Sequence, residues 1–277
     1  MTRLLMCPPR DYAVSYDINP WMTRNVGTAT PNAQRQWERL TEILRCAGDV
    51  EIELVEPRAG LPDLVFTANA ALVSGRLAVV SSFRHPQRRR EQSAYRSWLS
   101  GRGFATTSLQ TTFFEGAGDA LFDRRRPLLY AGYGWRSERA ATIQLAETVD
   151  ARVLALLLVD ERFYHLDTCL CPLASGHVMV YMDAFSPHAQ RTLRRTIEPD
   201  ALIEVSVDDA LDFACNAVEI GDTLVVHAAS RRLRERLHDA GYRVFSTDLS
   251  DFIKAGGSAK CLTLRLEDGP ATEPAAA

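Results

Sequence analysis

The sequence predicts an α/β fold built from repeated units. Short polar motifs recur ahead of apolar hairpins at intervals of about 50 residues, helical patterns fill the spaces between them, and a fifth copy of the motif ends without its second strand. The hairpins are NAALVSGRLAVVSSF from Asn69, DALFDRRRPLLYAGY from Asp119, DTCLCPLASGHVMVYMDAF from Asp167 and NAVEIGDTLVVHAAS from Asn216. Each runs from a polar residue through an apolar strand and a turn with Gly or charge to a second apolar strand. Cys261 lies 45 residues beyond Asn216 and takes the same slot in a fifth unit. The strand that unit lacks is matched by RLLMCPP at 3–9, which has no other partner. Five units closing N-terminus to C-terminus make a ring; four blades with stray strands fit the same pattern.

The helices follow in order. NAQRQWERLTEILRCAG (32–48) places Trp37, Leu40, Ile43 and Leu44 at helical spacing and stops at Gly48. REQSAYRSWLSGRG (90–103), SERAATIQLAETVD (137–150), SPHAQRTLRRTI (186–197) and SRRLRERLHDAG (230–241) repeat the theme, several opening on a serine cap. The unit is therefore strand, strand, helix, with a further strand before the next motif. The polar slot residues are expected at one end of the strands, near the axis. Residues 1–268 read as a single catalytic domain, and 269–277, poor in apolar residues beyond alanine, as a disordered tail.

Composition narrows the partners. With 277 residues, 46% hydrophobic, 24% charged and a net charge of -3, the chain reads as an ordinary soluble protein without a basic face for nucleic acid. The densest basic run, RHPQRRR at 84–90, reads by default as a solvated helix start. No apolar stretch approaches the ~20 residues needed to span a bilayer. MTRLLMCPPRDY has too short an apolar run for a secretory signal, so a cytoplasmic location is expected. Six cysteines without a signal argue for reduced thiols. Cys169 and Cys171 share a strand face but lack a matching pair of metal ligands elsewhere, so no metal is expected.

If the units form a ring, slot residues scattered in sequence line one cavity, where burying them without a ligand is costly. Cys261 stands in GGSAKCLTLRL. Gly256 and Gly257 allow close backbone approach, Lys260 is placed to favour a thiolate, and Leu262, Leu264 and Leu266 alternate as in a half-buried strand. FFEGAGDALF (113–122) offers Glu115 and Asp119 around two glycines, and YHLDTCL (164–170) puts His165 and Asp167 on one strand face. Paired carboxylates match a guanidinium, the planar cation. Cys261 can attack its electron-poor carbon while His165 protonates the departing nitrogen and later activates water.

Seven motifs in order, YDINPWM (16–22), PDLVFTANAAL (62–72), FRHPQR (83–88), EGAGDAL (115–121), YHLDTCL (164–170), ACNAVEIG (214–221) and GGSAKCLTL (256–264), resemble the guanidino-group-modifying enzymes. Within that superfamily the chain is most similar to arginine dihydrolases and their relatives, the dimethylarginine dimethylaminohydrolases and arginine deiminases. The resemblance covers about residues 5–268 and implies a five-bladed, pseudo-symmetric α/β propeller, the pentein fold. It also implies Cys261 as nucleophile, His165 as acid/base and Glu115 as the carboxylate holding that histidine or the substrate. Asp167 is implied as a guanidinium-binding carboxylate. Asp119, a slot residue read from FFEGAGDALF, is a further candidate for substrate binding. Asn19 and Arg88 match contacts to the amino-acid end of the substrate, and Arg84 is a second candidate for its carboxylate.

One slot sets the subtype. Deiminases and dimethylargininases carry an acid where FTANA supplies Asn69, whose neutral amide also suits the ureido group of citrulline. The leading reading is a cofactor-free hydrolase that takes arginine through two hydrolyses to ornithine, two ammonia and carbon dioxide. One-step hydrolysis of arginine or methylated arginine to citrulline is the runner-up and amidino transfer the third. A binding module for cationic amino acids would not need Cys261 and His165 together, and chelator insensitivity would exclude a metal-dependent hydrolase. The expected partner is a small molecule, with a homo-oligomer left open.

Overall fold

The computed structural model describes residues 1–110 and 113–271, so residues 272–277 of the expected disordered tail lie outside the described residues. Among the described residues, fifteen strands form five three-stranded sheets. In chain order they are β1 (Thr2–Met6), β2 (Val50–Leu54), β3 (Ala71–Ser74), β4 (Leu77–Val80), β5 (Ala105–Thr107), β6 (Ala120–Phe122), β7 (Leu128–Tyr133), β8 (Arg152–Leu157), β9 (Leu170–Pro172), β10 (Val178–Val180), β11 (Leu202–Glu204), β12 (Val218–Ile220), β13 (Thr223–Val226), β14 (Arg243–Ser246) and β15 (Leu264–Arg265). The helices are α1 (Pro20–Thr23), α2 (Ala33–Ala47), α3 (Glu91–Gly101), α4 (Arg139–Thr148), α5 (Pro187–Thr196), α6 (Val207–Leu211), α7 (Arg231–Asp239) and α8 (Ser250–Ile253).

Every blade obeys one rule: the inner strand pairs antiparallel with the middle strand, and the middle strand pairs parallel with the outer one. Leu72 faces Val79 across β3 and β4, and Val79 faces Thr107 across β4 and β5. Blades β6–β8, β9–β11 and β12–β14 repeat this arrangement. The antiparallel partner follows by a short hairpin, whereas the parallel partner needs a crossover, which is why a helix separates middle from outer strand. The fifth blade joins the ends of the chain: β1 is its middle strand, antiparallel to β15 (Leu5 opposite Leu264) and parallel to β2 (Leu4 opposite Ile52). The N-terminal strand thus fills the gap in the last repeat, and the ring closes into the five-bladed pentein architecture.

Middle strands are buried over most of their length and read as nearly continuous apolar runs, as strands covered on both faces do. Helix α2 turns Trp37, Leu40, Ile43 and Leu44 inward. Serine caps form at α5, where Ser186 accepts from the Ala189 N–H, and at α7, where Ser230 accepts from that of Leu233. Ser137, expected as a cap of α4, is not one, because its hydroxyl is taken by the site. The apolar core forms patches spanning adjacent blades, leaving the inner strand ends to polar residues.

Candidate active site

Each inner strand is entered through a tight turn. Three are short 3-10 helices, Thr67–Asn69, Gly116–Gly118 and Leu166–Thr168, and the other two are closed by Asn216 N–H to Phe213 O (2.9 Å) and Leu262 N–H to Ser258 O (3.2 Å). His165 and Asp167 therefore flank and occupy such a turn instead of sharing a strand face, and the strand after Cys261 is reduced to Leu264–Arg265. The turns bring the slot residues together. Asn216 Nδ2 donates to Cys261 Sγ (3.1 Å) and to Asp167 O (3.0 Å), its Oδ1 accepts from the Cys261 N–H (3.0 Å), and the Ala68 N–H reaches Cys261 O (3.1 Å).

His165 is held between two carboxylates. Its Nδ1 faces Asp119 Oδ1 at 3.1 Å and its Nε2 faces Glu115 Oε2 at 3.3 Å. Burial disfavours charge on the ring, but Asp119 and then Glu115 outweigh it and lift its pKa to about 9. Burial likewise favours a neutral Glu115, yet Arg136, 3.2 Å away, and the histidine hold that carboxyl well below the usual range. The pair is an imidazolium against a carboxylate at neutral pH.

Asp119 departs from its expected role as a substrate ligand. Its Oδ1 accepts from the Leu166 N–H (3.2 Å), and its Oδ2 accepts from Ser137 Oγ (2.6 Å) and the Ser137 N–H (3.2 Å). With both oxygens engaged it stands behind the ring and holds it.

Cys261 is buried rather than exposed, with Sγ 3.6 and 3.7 Å from the Asp167 carboxylate oxygens. Burial and then Asp167 push the thiol well above its ordinary value, so at rest it is protonated, the reverse of what Lys260 alone suggests. Burial also lifts Asp167 to about 6, against the pull of Lys260 and His165. A cation entering beside these two groups favours both their charged forms.

A narrow chamber above Cys261 is lined by Asn69, Asp63, Arg136, Tyr164 and His165, and a wider vestibule outside it by Asp17, Arg24, Arg84 and Trp135. Asn19 belongs to both: its Oδ1 caps α1 through the Trp21 and Met22 N–H groups, and its Nδ2 donates to Ala255 O (3.1 Å). Arg88, expected at the amino-acid end of the substrate, is neither solvated nor free. It grips Glu91 (3.0 and 2.8 Å), reaches Asp63 O (3.3 Å) and donates to Asn69 Oδ1 (3.0 Å). That last bond fixes the amide, turning Asn69 Nδ2 toward His165 Nε2 (3.4 Å) and Glu115 O (3.3 Å). Arg84 lies at the vestibule, its guanidinium 4.8 Å over Phe113, with Nε donating to Arg136 O (3.0 Å).

Sequence reasoning missed Arg136, Asp63, Tyr164 and Ser137. Arg136 is buried over the Tyr164 ring (4.4 Å) and joins chamber to vestibule. It follows the middle strand of its blade as Arg84 follows β4, so the repeat itself carried the signal. Asp63 opens the Pro62–Val65 turn, and its Oδ1 is buried with no hydrogen-bond partner among the described residues. Among the described residues no group of three or more His, Cys, Asp or Glu could hold a metal ion, and no helix is long and apolar enough to cross a membrane.

Comparison with known proteins places this geometry. The bifunctional arginine dihydrolase/ornithine cyclodeaminase ArgZ of Synechocystis is 46% identical over 269 residues, 96% of this chain but 38% of its own length. The chain thus spans well under half of that relative. The N(G),N(G)-dimethylarginine dimethylaminohydrolase of Mycobacterium tuberculosis is 40% identical over 264 residues, 95% of this chain and 85% of that one. The crystal structure of the N-terminal domain of ArgZ bound to substrate superposes with a TM-score of 0.94 at 44% identity, covering 98% of this chain and all of that one. The family model for eukaryotic N,N dimethylarginine dimethylhydrolase matches residues 16–267, and with the pentein ring and the cysteine, histidine and carboxylates at its axis, the chain belongs to that family of guanidino-group-modifying enzymes.

Proposed function

We propose that residues 1–268 form one catalytic domain that hydrolyses the guanidine group of L-arginine twice, giving ornithine, two ammonia and carbon dioxide. Cys261 and His165 are its catalytic residues, Glu115 holds the imidazolium, and Asp167 and Asn69 hold the reacting group. The carrying observation is the pinned amide of Asn69: Arg88 occupies its oxygen, so it presents an N–H donor beside the imidazolium. A donor suits the ureido oxygen of citrulline, which only accepts, while the Asp167 carboxylate suits the guanidinium. Asn19, Arg84, Arg136 and Asp63, whose Oδ2 pairs with Arg88 (3.7 Å) and whose Oδ1 has no hydrogen-bond partner among the described residues, line the path for the amino-acid end, a carboxylate meeting the arginines and an amine meeting Asp63.

As substrate binds, the Cys261 thiol releases its proton to water. In each round Sγ then bonds to the guanidine or ureido carbon, the C–N bond to the departing ammonia breaks with a proton from His165, and water, deprotonated by the now neutral ring, displaces the sulfur as thiolate. The first release gives citrulline. The second gives an N-carboxylated ornithine, which loses carbon dioxide. Cyanobacterial relatives that are arginine dihydrolases support this reading. One-step hydrolysis of arginine or a methylated arginine to citrulline is the second reading, favoured for the methylated substrate by the mycobacterial relative. All six cysteines are free, which supports a reducing, cytoplasmic setting.

Incubation with arginine, counting ammonia, citrulline and ornithine, tests the proposal. About two ammonia and one ornithine per arginine are expected from the stoichiometry of two hydrolyses. Accumulation of citrulline alone, or turnover of dimethylarginine only, would move the protein to the second reading.

A further inference from the structure

Beneath the chamber the ring keeps a second cavity, lined by the ends of β6, β9 and β12 and by the turn that carries Cys261. Asp167 lines this lower cavity and Cys261 the upper chamber, so the thiol and carboxylate form the partition between them. Lys260 precedes the nucleophile and turns the other way. Its main-chain N–H donates to Asn216 O (3.2 Å), while its ammonium lies buried in the lower wall with no hydrogen-bond partner among the described residues. A buried ammonium without an acceptor is costly unless a counter-charge offsets it.

Asp167 is in the complementary condition. Among the described residues the weakly donating Cys261 thiol is the only hydrogen-bond donor to its carboxylate. The other charges nearby are engaged. Arg124 pairs with Asp268 (2.6 Å), Arg265 donates to Glu219 O (2.7 Å), and Glu219 accepts from the Ala174 N–H (2.8 Å) and the Tyr242 hydroxyl. The Cys171 thiol, pushed up to about 12 by burial, is neutral at ordinary pH. On the chamber side His165 is divided between Asp119 and Glu115. Among the described residues, one ammonium and one carboxylate remain without a charged partner within 4 Å in the same wall.

We propose that Lys260 is a positioning residue, the counter-ion that keeps Asp167 ionised beneath the nucleophile so that the chamber floor accepts a cation. The identity of that cation as a guanidinium rests on the function proposed above; the pairing of Lys260 with Asp167 does not. Of the charges that favour the ionised form of Asp167, Lys260 acts most strongly, and burial opposes it.

The test titrates Asp167 directly. Carbon-13 NMR of carboxyl-labelled protein, wild type minus Asp167→Asn, follows this one carboxylate without substrate. In Lys260→Met its midpoint should rise by about one unit, on the order of a tenfold change in ionisation constant, and Lys260→Arg should restore it. Arginine binding to the Cys261→Ala variant, by calorimetry, should weaken about fivefold near pH ~6 in the Lys260→Met background and recover above pH ~8, a recovery that a merely structural defect would not show. Lys260→Gln, which keeps polarity and drops the charge, serves if the methionine variant does not fold. An unmoved midpoint in the charge-removing variant overturns the assignment. A raised midpoint in protein that binds no arginine at all upholds Lys260 and removes the guanidino reading instead.

Discussion

At the scale of single residues, the site is governed by which charges burial permits. His165 is favoured as an imidazolium up to about pH 9, and Asp167 becomes a carboxylate only above about pH 6. The proposed turnover of arginine needs the first charged as acid and the second charged as anchor, so kcat/KM should be bell-shaped, with an acid limb near 6 and a basic limb near 9. A profile flat across either value would contradict the role of that residue. The same values act on stability. His165 titrates higher folded than its ordinary 6.5, so its contribution is full below that value and is lost as pH rises through about 9. Asp167 is also raised, from 3.8, so its ionisation opposes folding as pH rises through about 6. On the proposed function, Asn69 decides between one hydrolysis and two. Asn69→Asp places a carboxylate against Arg88, beside Glu115, where it can pair with guanidinium but repels a ureido oxygen. The variant should release citrulline with about one ammonia per arginine, against about two for the wild type, and ornithine from the variant would refute that role for the amide.

At the scale of elements, the tight turns ahead of the inner strands do the positioning, and they leave little room. A Cβ on Gly118 would lie 2.2 Å from Asn69 Nδ2 and 3.3 Å from His165 Nδ1. Gly118→Ala should therefore displace the amide and the ring together. We expect kcat to fall on the order of a hundredfold or more, while thermal unfolding moves by only a few degrees because no apolar core is opened. A variant with near-normal kcat would show that the turn tolerates the shift. These turns also explain what the sequence could convey. The hairpins were legible because apolar runs repeat, and so were the five long helices, from their spacing. His165 and Asp167 were found as residues but misplaced on a strand, because a single 3-10 turn has no periodicity to read. Ser137 was mistaken for a helix cap because the same Ser-x-x pattern serves both uses, and only the fold shows Asp119 beside its hydroxyl. Arg88 looked solvated because a basic run looks the same whether its charges face water or the buried carboxylate of Glu91.

At the scale of the molecule, the ring makes Cys261, the proposed nucleophile, depend on β1. β15 follows Cys261 directly and pairs only with β1, whose Leu5 carbonyl also accepts from the Thr67 hydroxyl (2.8 Å) at the entrance to the first inner strand. One strand thus braces both sides of the seam where the repeats meet, and the slots of Cys261 and Asn69 lie on either side of it. The repeat revealed this closure because the fifth unit lacked a strand and the N-terminus had one to spare. Leu5 is fully buried, so Leu5→Ala should cost about 2–5 kcal/mol of unfolding free energy, the usual range for a leucine cavity. Its effect should also be local. Because the seam carries the nucleophile, alkylation of Cys261 by iodoacetamide, slow in the wild type where the thiol is buried and protonated, should speed up well before global unfolding. Leu193, equally buried in α5 on another blade, provides the control: Leu193→Ala should cost a similar amount and leave Cys261 protected until the whole ring unfolds. Equal exposure of the thiol in the two variants would mean that the ring opens only as a unit, and that the seam is no weaker than the blades it joins.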